Sequence, residues 1–365
     1  MQKIAIIGAG VSGMSAAHFL KDRYNVTVFE KEKTPGGLIK CCRINGSLFH
    51  TCGGHVFNSK HSDVLDWFWT KFDRNKEFSK TDRNSAIFME EGDEIPYPIE
   101  NHVYLLNSDI QKRVIKDLVE IVRKEGDKAH NFEEFLKSRF GDTLYKIYFQ
   151  PYNEKVWRRD LKQVPLSWLE GKLPMPTVEE MVYNNINHVK EKSFVHSTFW
   201  YENMNGSQYI ADKLAEELHI CYDTDIKNIK YAHNKWLIEE EYFDKVIFCG
   251  NKDMVKIVEG FDIREYEDEI VKLEYHGTTA VFCEIDKNPY SWIYQPSKQH
   301  ESHRIICTGN FAKSNNGNCV PEGRITATIE FTDEISKEDI IDNLSRISLH
   351  PKYLAHKYNP YTYPI

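Results

Sequence analysis

Apolar positions along the 365-residue chain fall into short unbroken runs and into spaced stripes, and the two patterns separate strands from helices. Ile4-Ala5-Ile6-Ile7 is a run that stops at Gly8, and Val26-Thr27-Val28-Phe29 is a second that stops at Glu30. Between them Ala16, Ala17, Phe19 and Leu20 keep helical spacing. Val64, Leu65, Trp67, Phe68 and Phe72 predict a helix over 62–72, with Ser62-Asp63 as its cap. The runs 86–89 and 94–98 predict a hairpin around Glu91-Gly92-Asp93, and Pro96 and Pro98 keep the second run out of a sheet interior. Residues 108–150 read as helices. Val114, Ile115, Leu118, Ile121 and Val122 form one apolar stripe, and Phe132, Phe135, Leu136 and Phe140 another. Asn131 opens the latter, with Glu134 at the third helical position. Further helices are predicted over 178–189, 208–218 and 333–348. Strand-like runs at 226–230, at two places between 235 and 250, and at 278–282, 305–307 and 325–329 predict a largely antiparallel sheet late in the chain.

Strand, glycine turn, helix, strand, acid is the order that a dinucleotide-binding βαβ unit requires. Gly8 permits the tight turn, Gly10 lets backbone approach a pyrophosphate, and Gly13 lets helix pack closely on strand. Val11 and Ser12 open the helix, whose N-terminus offers free N–H groups and a positive dipole end to phosphate. Glu30, twenty residues past Gly10 and followed by Lys31, is placed to accept ribose hydroxyls. A glycine-rich turn in an unrelated α/β protein has no need of strand, helix and acid together. Just beyond, Thr34-Pro35-Gly36-Gly37-Leu38 resembles the second phosphate-side motif of FAD-binding flavoproteins, which adds Gly37 and Leu38 to the cofactor set. An ordinary Pro-Gly turn is the alternative.

Composition narrows the partners more than the fold. A net charge of −8 argues against nucleic acid or an anionic membrane as the main partner, although local basic clusters can still hold phosphate. The eight cysteines, including the adjacent Cys41-Cys42, show no C-x-x-C spacing. Reduced thiols in a cytoplasmic protein are therefore expected, and no metal site is. No signal peptide precedes the first strand, and no apolar run reaches membrane-spanning length.

In Phe49-His50-Thr51-Cys52-Gly53-Gly54-His55-Val56-Phe57-Asn58, two adjacent glycines let backbone approach a flat ligand. His55 can donate to or accept from its edge. The segment resembles the flavin-facing loop of UDP-galactopyranose mutases, and flavin amine oxidases and protoporphyrinogen oxidase-like proteins carry a similar Gly-Gly-His. Farther on, Tyr152, Asn153, Lys155 and Trp157 place two flat rings five positions apart with an amide and a cation. Read by themselves they fit a base- and phosphate-binding row or the packed face of a helix equally well. Tyr152, Lys155 and Trp157 match the Tyr-x-x-Lys-x-Trp segment of the mutases, where the tyrosine stacks on uracil and the tryptophan lies near the sugar. Gly171-Lys172-Leu173-Pro174 resembles the family's mobile loop, with Lys172 where the family has a diphosphate-binding arginine; a lysine lacks the bidentate fork. The Pro step before Asn101 and the glycine turn ahead of the 208–218 helix, here Gly206-Ser207 rather than a Gly pair, follow the same family. Ile226 begins a run resembling the strand that grips the adenine side of FAD. The final Lys357-Tyr358-Asn359-Pro360-Tyr361-Thr362-Tyr363-Pro364-Ile365 resembles a late Pro-Tyr step. After it the mutases continue into a segment carrying an arginine, tyrosines and an acid, whereas this sequence stops at Ile365.

The fold class that follows is α/β. A discontinuous FAD-binding Rossmann-like domain is expected over 1–60 and about 206–270, and a mainly helical substrate-side insertion over 61–205. An antiparallel sheet domain with a terminal helix is expected over 271–365, without the family's C-terminal flavin segment. The resemblance implies an FAD-dependent mutase interconverting pyranose and furanose forms of a UDP-sugar, with reduced flavin attacking the anomeric carbon. His55 would be the catalytic contact to the flavin, with Gly53 and Gly54 beside it. The partner expected is a small-molecule nucleotide sugar, and a homodimer is left open. Two alternatives remain: an FAD-dependent amine oxidase or protoporphyrinogen oxidase-like enzyme, and a non-catalytic nucleotide-binding protein.

Overall fold

The computed structural model describes residues 1–90, 92–124, 129–166, 176–189, 197–251 and 258–364. Its first layer is a parallel sheet in the order Lys245–Phe248, Lys3–Ile7, Asn25–Phe29, Ile220–Cys221. Alternate residues of these strands go to opposite cores, as a sheet covered on both sides requires. Ile4, Ile6, Val26 and Val28 meet Met14 and Ala17 of the Val11–Leu20 helix, together with Ala211 and Leu214 of the Ser207–Ala215 helix. Ala5, Ile7 and Phe29 meet Ile226, Ile229, Ile238 and Phe243. The strand expected from Ile226 begins instead at Ile229 and belongs to a small separate sheet. Ile226 and Ile229 are three apart, the wrong period for a strand, and both plug the lower face of the parallel sheet. The strand that does extend that sheet, Ile220–Cys221, is too short to show in the apolar pattern.

The second layer is a seven-stranded sheet, ordered Lys352–Pro364, Tyr275–Asp286, Arg324–Thr332, Arg304–Ile306, Trp292–Tyr294, Ser85–Phe88, Glu94–Pro96. All its pairs are antiparallel except Trp292–Tyr294 with Ser85–Phe88. The predicted hairpin thus forms, and its proline-bearing strand lies at the sheet edge. It also means that the 61–205 stretch is not wholly helical, because two of its strands complete a sheet built mostly from residues beyond 271. The chain does not end on a helix either. The Lys337–Leu344 helix is followed by the 13-residue edge strand Lys352–Pro364, whose mix of lysines, tyrosines and prolines hides it from an apolar pattern.

This sheet has two unlike faces. Val281, Cys283, Ile285, Ile293, Ile305, Ala327, Ile329 and Phe331 form an apolar face covered by Ile340, Leu344 and Ile347. The opposite face carries Trp292 across from Ile306, Tyr294 across from Arg304, and Arg304 across from Glu330.

The helical layer packs around Val114, Leu118, Leu136, Phe140, Tyr148 and Trp157. Asn107 caps Ser108–Arg123, Asn131 caps Phe132–Leu144, and Thr177 with Glu180 forms a capping box on Val178–Asn187. Ser62–Lys71 is entered from His61 with no side-chain cap, so Ser62 and Asp63 lie inside the helix. The stripe on Ser108–Arg123 is narrower than the sequence suggests: Ile115 and Val122 are 60% and 54% exposed. The run around Phe199 is a strand, Thr198–Glu202, paired with Phe78–Asp82. Gly171 to Pro174, with Lys172, lie outside the described residues. Among the described residues no helix is long and apolar enough to cross a membrane, and no group of three or more His, Cys, Asp or Glu could hold a metal.

A Cβ on Gly13 would stand 2.0 Å from the Gly8 carbonyl oxygen, a backbone atom with nowhere to move. Gly13→Ala is expected to cost about 3 kcal/mol, the upper end of the usual overpacking range, read as a lower urea midpoint. An unchanged midpoint would mean that helix and turn are not this closely packed.

Candidate functional site

The two glycine motifs are joined by backbone. Gly36 N–H donates to the Ala9 carbonyl at 2.8 Å, Gly10 and Gly36 form a parallel bridge, and a Cβ on Gly37 (φ +55°) would lie 3.3 Å from the Gly10 Cα. Gly10 itself faces open space: a Cβ there would meet nothing within 4 Å. No side chain caps the helix that Gly10 opens, and Val11 and Ser12 are exposed at its start. Open backbone at an uncapped helix N-terminus suits a pyrophosphate. Glu30 is buried, with one carboxylate oxygen accepting from Ala9 N–H at 2.8 Å and the other from Glu32 N–H at 3.0 Å. It fixes the turn, while Lys31, Gly37 and Leu38 stay exposed around it.

A chain of hydrogen bonds leads from this cradle to the histidine loop. Ser207 Oγ donates to the Ile39 carbonyl at 2.6 Å and lies 3.3 Å from His50 Nδ1, which also accepts from His55 N–H at 3.3 Å. His50 Nε2 meets Tyr201 Oη at 2.8 Å, and Asn315 donates to the same oxygen at 3.0 Å. The loop rests on the polar face of the seven-stranded sheet. Gly53 N–H donates to Glu330 Oε1 at 2.8 Å, and a Cβ on Gly54 would come within 2.6 Å of Ile306 and 3.1 Å of Trp292. Only glycine allows that approach. His55 Nε2 is buried with no hydrogen-bond partner among the described residues. Burial, then the neighbouring His50, lowers its pKa to about 4, and burial lowers that of His50 to about 4, so both rings are neutral at pH 7. A neutral ring nitrogen left unpaired in a buried wall fits a flat hydrogen-bonding ligand such as a flavin edge.

Between this loop and the helical layer the sheet forms a floor. Glu330 is fully buried and accepts from Arg304 Nε at 2.7 Å, while Arg304 Nη2 donates to Tyr363 Oη at 3.0 Å. Burial raises the pKa of Glu330, but the Arg304 and His303 charges and the hydrogen bonds outweigh it and hold the carboxyl below its usual range. Tyr152 enters from the Gln150–Trp157 helix, half-buried, edge-on to Tyr294 at 5.6 Å and stacked with Tyr148 at 5.7 Å. Arg83 donates to Tyr294 Oη at 2.5 Å and lies 5.0 Å over the Trp292 ring, without a carboxylate partner among the described residues.

Of the expected substrate row, only Tyr152 reaches this floor. Trp157 is 4% exposed, inside the helical core against Phe132. Asn153 is buried and donates to the Phe149 carbonyl at 2.7 Å. Lys155 Nζ is held by the carbonyls of Gln295 at 2.8 Å and Ser302 at 3.0 Å, tying helix to sheet. At about 100° per residue Trp157 lies about 140° around the helix from Tyr152, and here that side is buried in the helical core. Arg83, Trp292, Tyr294, Arg304 and Glu330 do not stand out from the sequence pattern. Their signal is faint: Arg304 next to Ile305-Ile306, and Glu330 after Ile325-Thr326-Ala327-Thr328-Ile329, each a charged residue on a strand whose neighbouring positions are apolar or threonine.

Residues 6–72 match the model of an NAD(P)-binding Rossmann-like domain family. The whole chain superposes on the crystal structure of reduced UDP-galactopyranose mutase with a TM-score of 0.84 and 23% identity, covering 99% of this chain and 83% of that one. This chain has the mutase fold. The architecture expected from the glycine and histidine motifs is therefore present over nearly its full length. Among curated proteins, dTDP-fucopyranose mutase of Escherichia coli is 27% identical over 184 residues, 48% of this chain and 46% of that protein. The match thus spans less than half the length of this relative. Coproporphyrinogen III oxidase of Staphylococcus aureus (strain NCTC 8325 / PS 47) is 46% identical over 50 residues, 13% of this chain and 11% of that protein.

The depressed histidines make the site acid-sensitive. Between about pH 6.5 and 4 the unfolded chain takes up protons at His50 and His55 that the native state refuses. Stability fully present above pH 6.5 is therefore lost as pH falls through this window, by about 3 kcal/mol for the fully buried His50. Melting temperatures should fall less steeply over that range in His50→Gln than in the unaltered chain. An equal slope would mean that His50 is charged in the fold.

Proposed function

We propose that this protein is an FAD-dependent mutase that interconverts the pyranose and furanose forms of a nucleotide-diphosphate sugar, working with the flavin reduced. The observation that carries the reading is the continuous wall from the glycine cradle through Ser207 and His50 to the unpaired His55 nitrogen, facing a floor that Tyr152 overhangs. Gly8, Gly10, Val11, Ser12, Gly13 and Gly37 would hold the FAD pyrophosphate, with Leu38 alongside. Glu30 and Lys31 would lie on the ribose side, and the backbone around Ile226 on the adenine side. Gly53, Gly54 and His55 would meet the isoalloxazine ring. Bound there in reduced form, the flavin supplies an electron-rich centre toward an anomeric carbon. The protein's part is to position: Tyr152 offers a face for the base, and the Arg83 guanidinium offers positive charge. Lys172 is the counter-charge expected from the loop beyond the described residues. The names of two similar proteins, UDP-galactopyranose mutase and dTDP-fucopyranose mutase, support a nucleoside-diphosphate hexose as the substrate class. An oxidase would use the same glycine motifs, but its curated match covers 13% of the chain and gives Tyr152 no role.

Dithionite-reduced protein is expected to convert UDP-galactopyranose or dTDP-fucopyranose to the furanose form, followed by proton NMR of the anomeric signals. Tyr152→Ala should lower kcat/KM by about tenfold to a hundredfold, the range for loss of one base stack. Peroxide release with an amine or porphyrinogen, and no furanose from either sugar, would overturn the mutase reading.

A further inference from the structure

The Arg304–Glu330 pair on the cleft floor has no role in the function proposed above. Glu330 sits within the Arg324–Thr332 strand with its side chain wholly buried. One of its oxygens takes the Gly53 N–H at 2.8 Å and the other the Arg304 Nε at 2.7 Å, with His303 Nε2 3.8 Å away. Gly53 is held there at φ +65°, and His55 follows two residues on. Arg304 extends the contact across the floor: it is the cross-strand neighbour of Tyr294 and donates to Tyr363 on the edge strand.

A buried ion pair is a costly means of holding one backbone N–H. A neutral amide or hydroxyl could accept the same bond without taking two charges out of water, and apolar replacements of such pairs are often neutral or stabilising. Here the pair stands where the histidine loop is pinned, in a site where low dielectric makes each charge felt strongly. We infer that Arg304 and Glu330 are a positioning pair that fixes the Gly53-Gly54-His55 loop against the flavin and sets its reduction potential by the balance of their two charges. The inference rests on the reading that FAD lies along this loop.

Opposite signs follow for the two partners. Glu330→Gln keeps an acceptor for Gly53 but leaves the guanidinium uncompensated, which favours the added negative charge of reduced flavin. Its potential moves to more positive values. Arg304→Met leaves a buried carboxylate uncompensated, and the potential moves to more negative values. The double variant carries neither charge and returns close to the original. Simple loosening of the fold would move both single variants the same way.

The test is a dye-coupled reductive titration of the FAD-loaded full chain in these three variants, with flavin content measured in each. Opposite shifts that cancel in the double variant support the inference. Shifts of the same sign, or none while FAD stays bound, overturn it. If neither single variant folds, the double variant and Arg304→Lys decide. A double variant with shifted potential or no flavin overturns the inference, as does Arg304→Lys, which keeps the charge, with a shifted potential. A separate control isolates the underlying reading. If the unaltered chain binds FAD but His55→Ala leaves its flavin spectrum untouched, the flavin lies elsewhere and both fall.

Discussion

One buried carboxylate joins the parts of this molecule that must meet for chemistry. Glu330 is on the sheet, its backbone partner Gly53 is on the loop leaving the nucleotide-binding unit, and its counter-ion Arg304 reaches Tyr363 on the last strand. The arrangement works because the seven-stranded sheet divides its residues so sharply. One face is apolar and closed by the Lys337–Leu344 helix and the residues just after it, which leaves the other to carry charge and aromatic rings without losing the core. Two close approaches then set the geometry. Gly54 lets the histidine loop lie directly on Ile306 and Trp292, and the lysine tether from Lys155 to two carbonyls brings the Tyr152 helix down beside Tyr294.

How much of this can be read from sequence depends on how local each part is. The nucleotide cradle is contained in the first forty residues, and strand, turn, helix and acid each leave a mark there. The turn at Gly8, the close packing at Gly13 and the acid at Glu30 are therefore legible in the amino-acid order, but not that both Glu30 oxygens accept backbone N–H groups and so fix the turn. The Gly53-Gly54-His55 loop is legible for the same reason, but its anchor is not, because Glu330 is 277 positions away from Gly53. The floor is assembled from short strands far apart in the chain, and no spacing rule connects Arg83, Trp292 and Arg304. At Tyr152 to Trp157 the linear spacing does not tell which side of the helix each residue takes. Trp157 serves the core and Lys155 the helix–sheet joint, leaving Tyr152 alone toward the cleft.

The same division accounts for where the oxidase and mutase readings overlap. Both rest on the cradle and the Gly-Gly-His loop, which point to a cofactor and not to a substrate. What separates them is the sheet floor, where Tyr152 and an arginine without a carboxylate partner among the described residues both meet Tyr294. That combination of a flat face and a guanidinium suits a base linked to a diphosphate better than an amine.

The most direct measurement is a titration of UDP and of dTDP into the FAD-loaded, reduced protein, following the flavin absorbance. If flavin and nucleotide share one cleft, a saturating perturbation of the flavin spectrum is expected, shifted in Tyr152→Ala to about tenfold to a hundredfold higher nucleotide concentration while bound FAD is retained. Stoichiometric FAD with a spectrum that neither nucleotide changes would contradict the shared cleft and the function drawn from it.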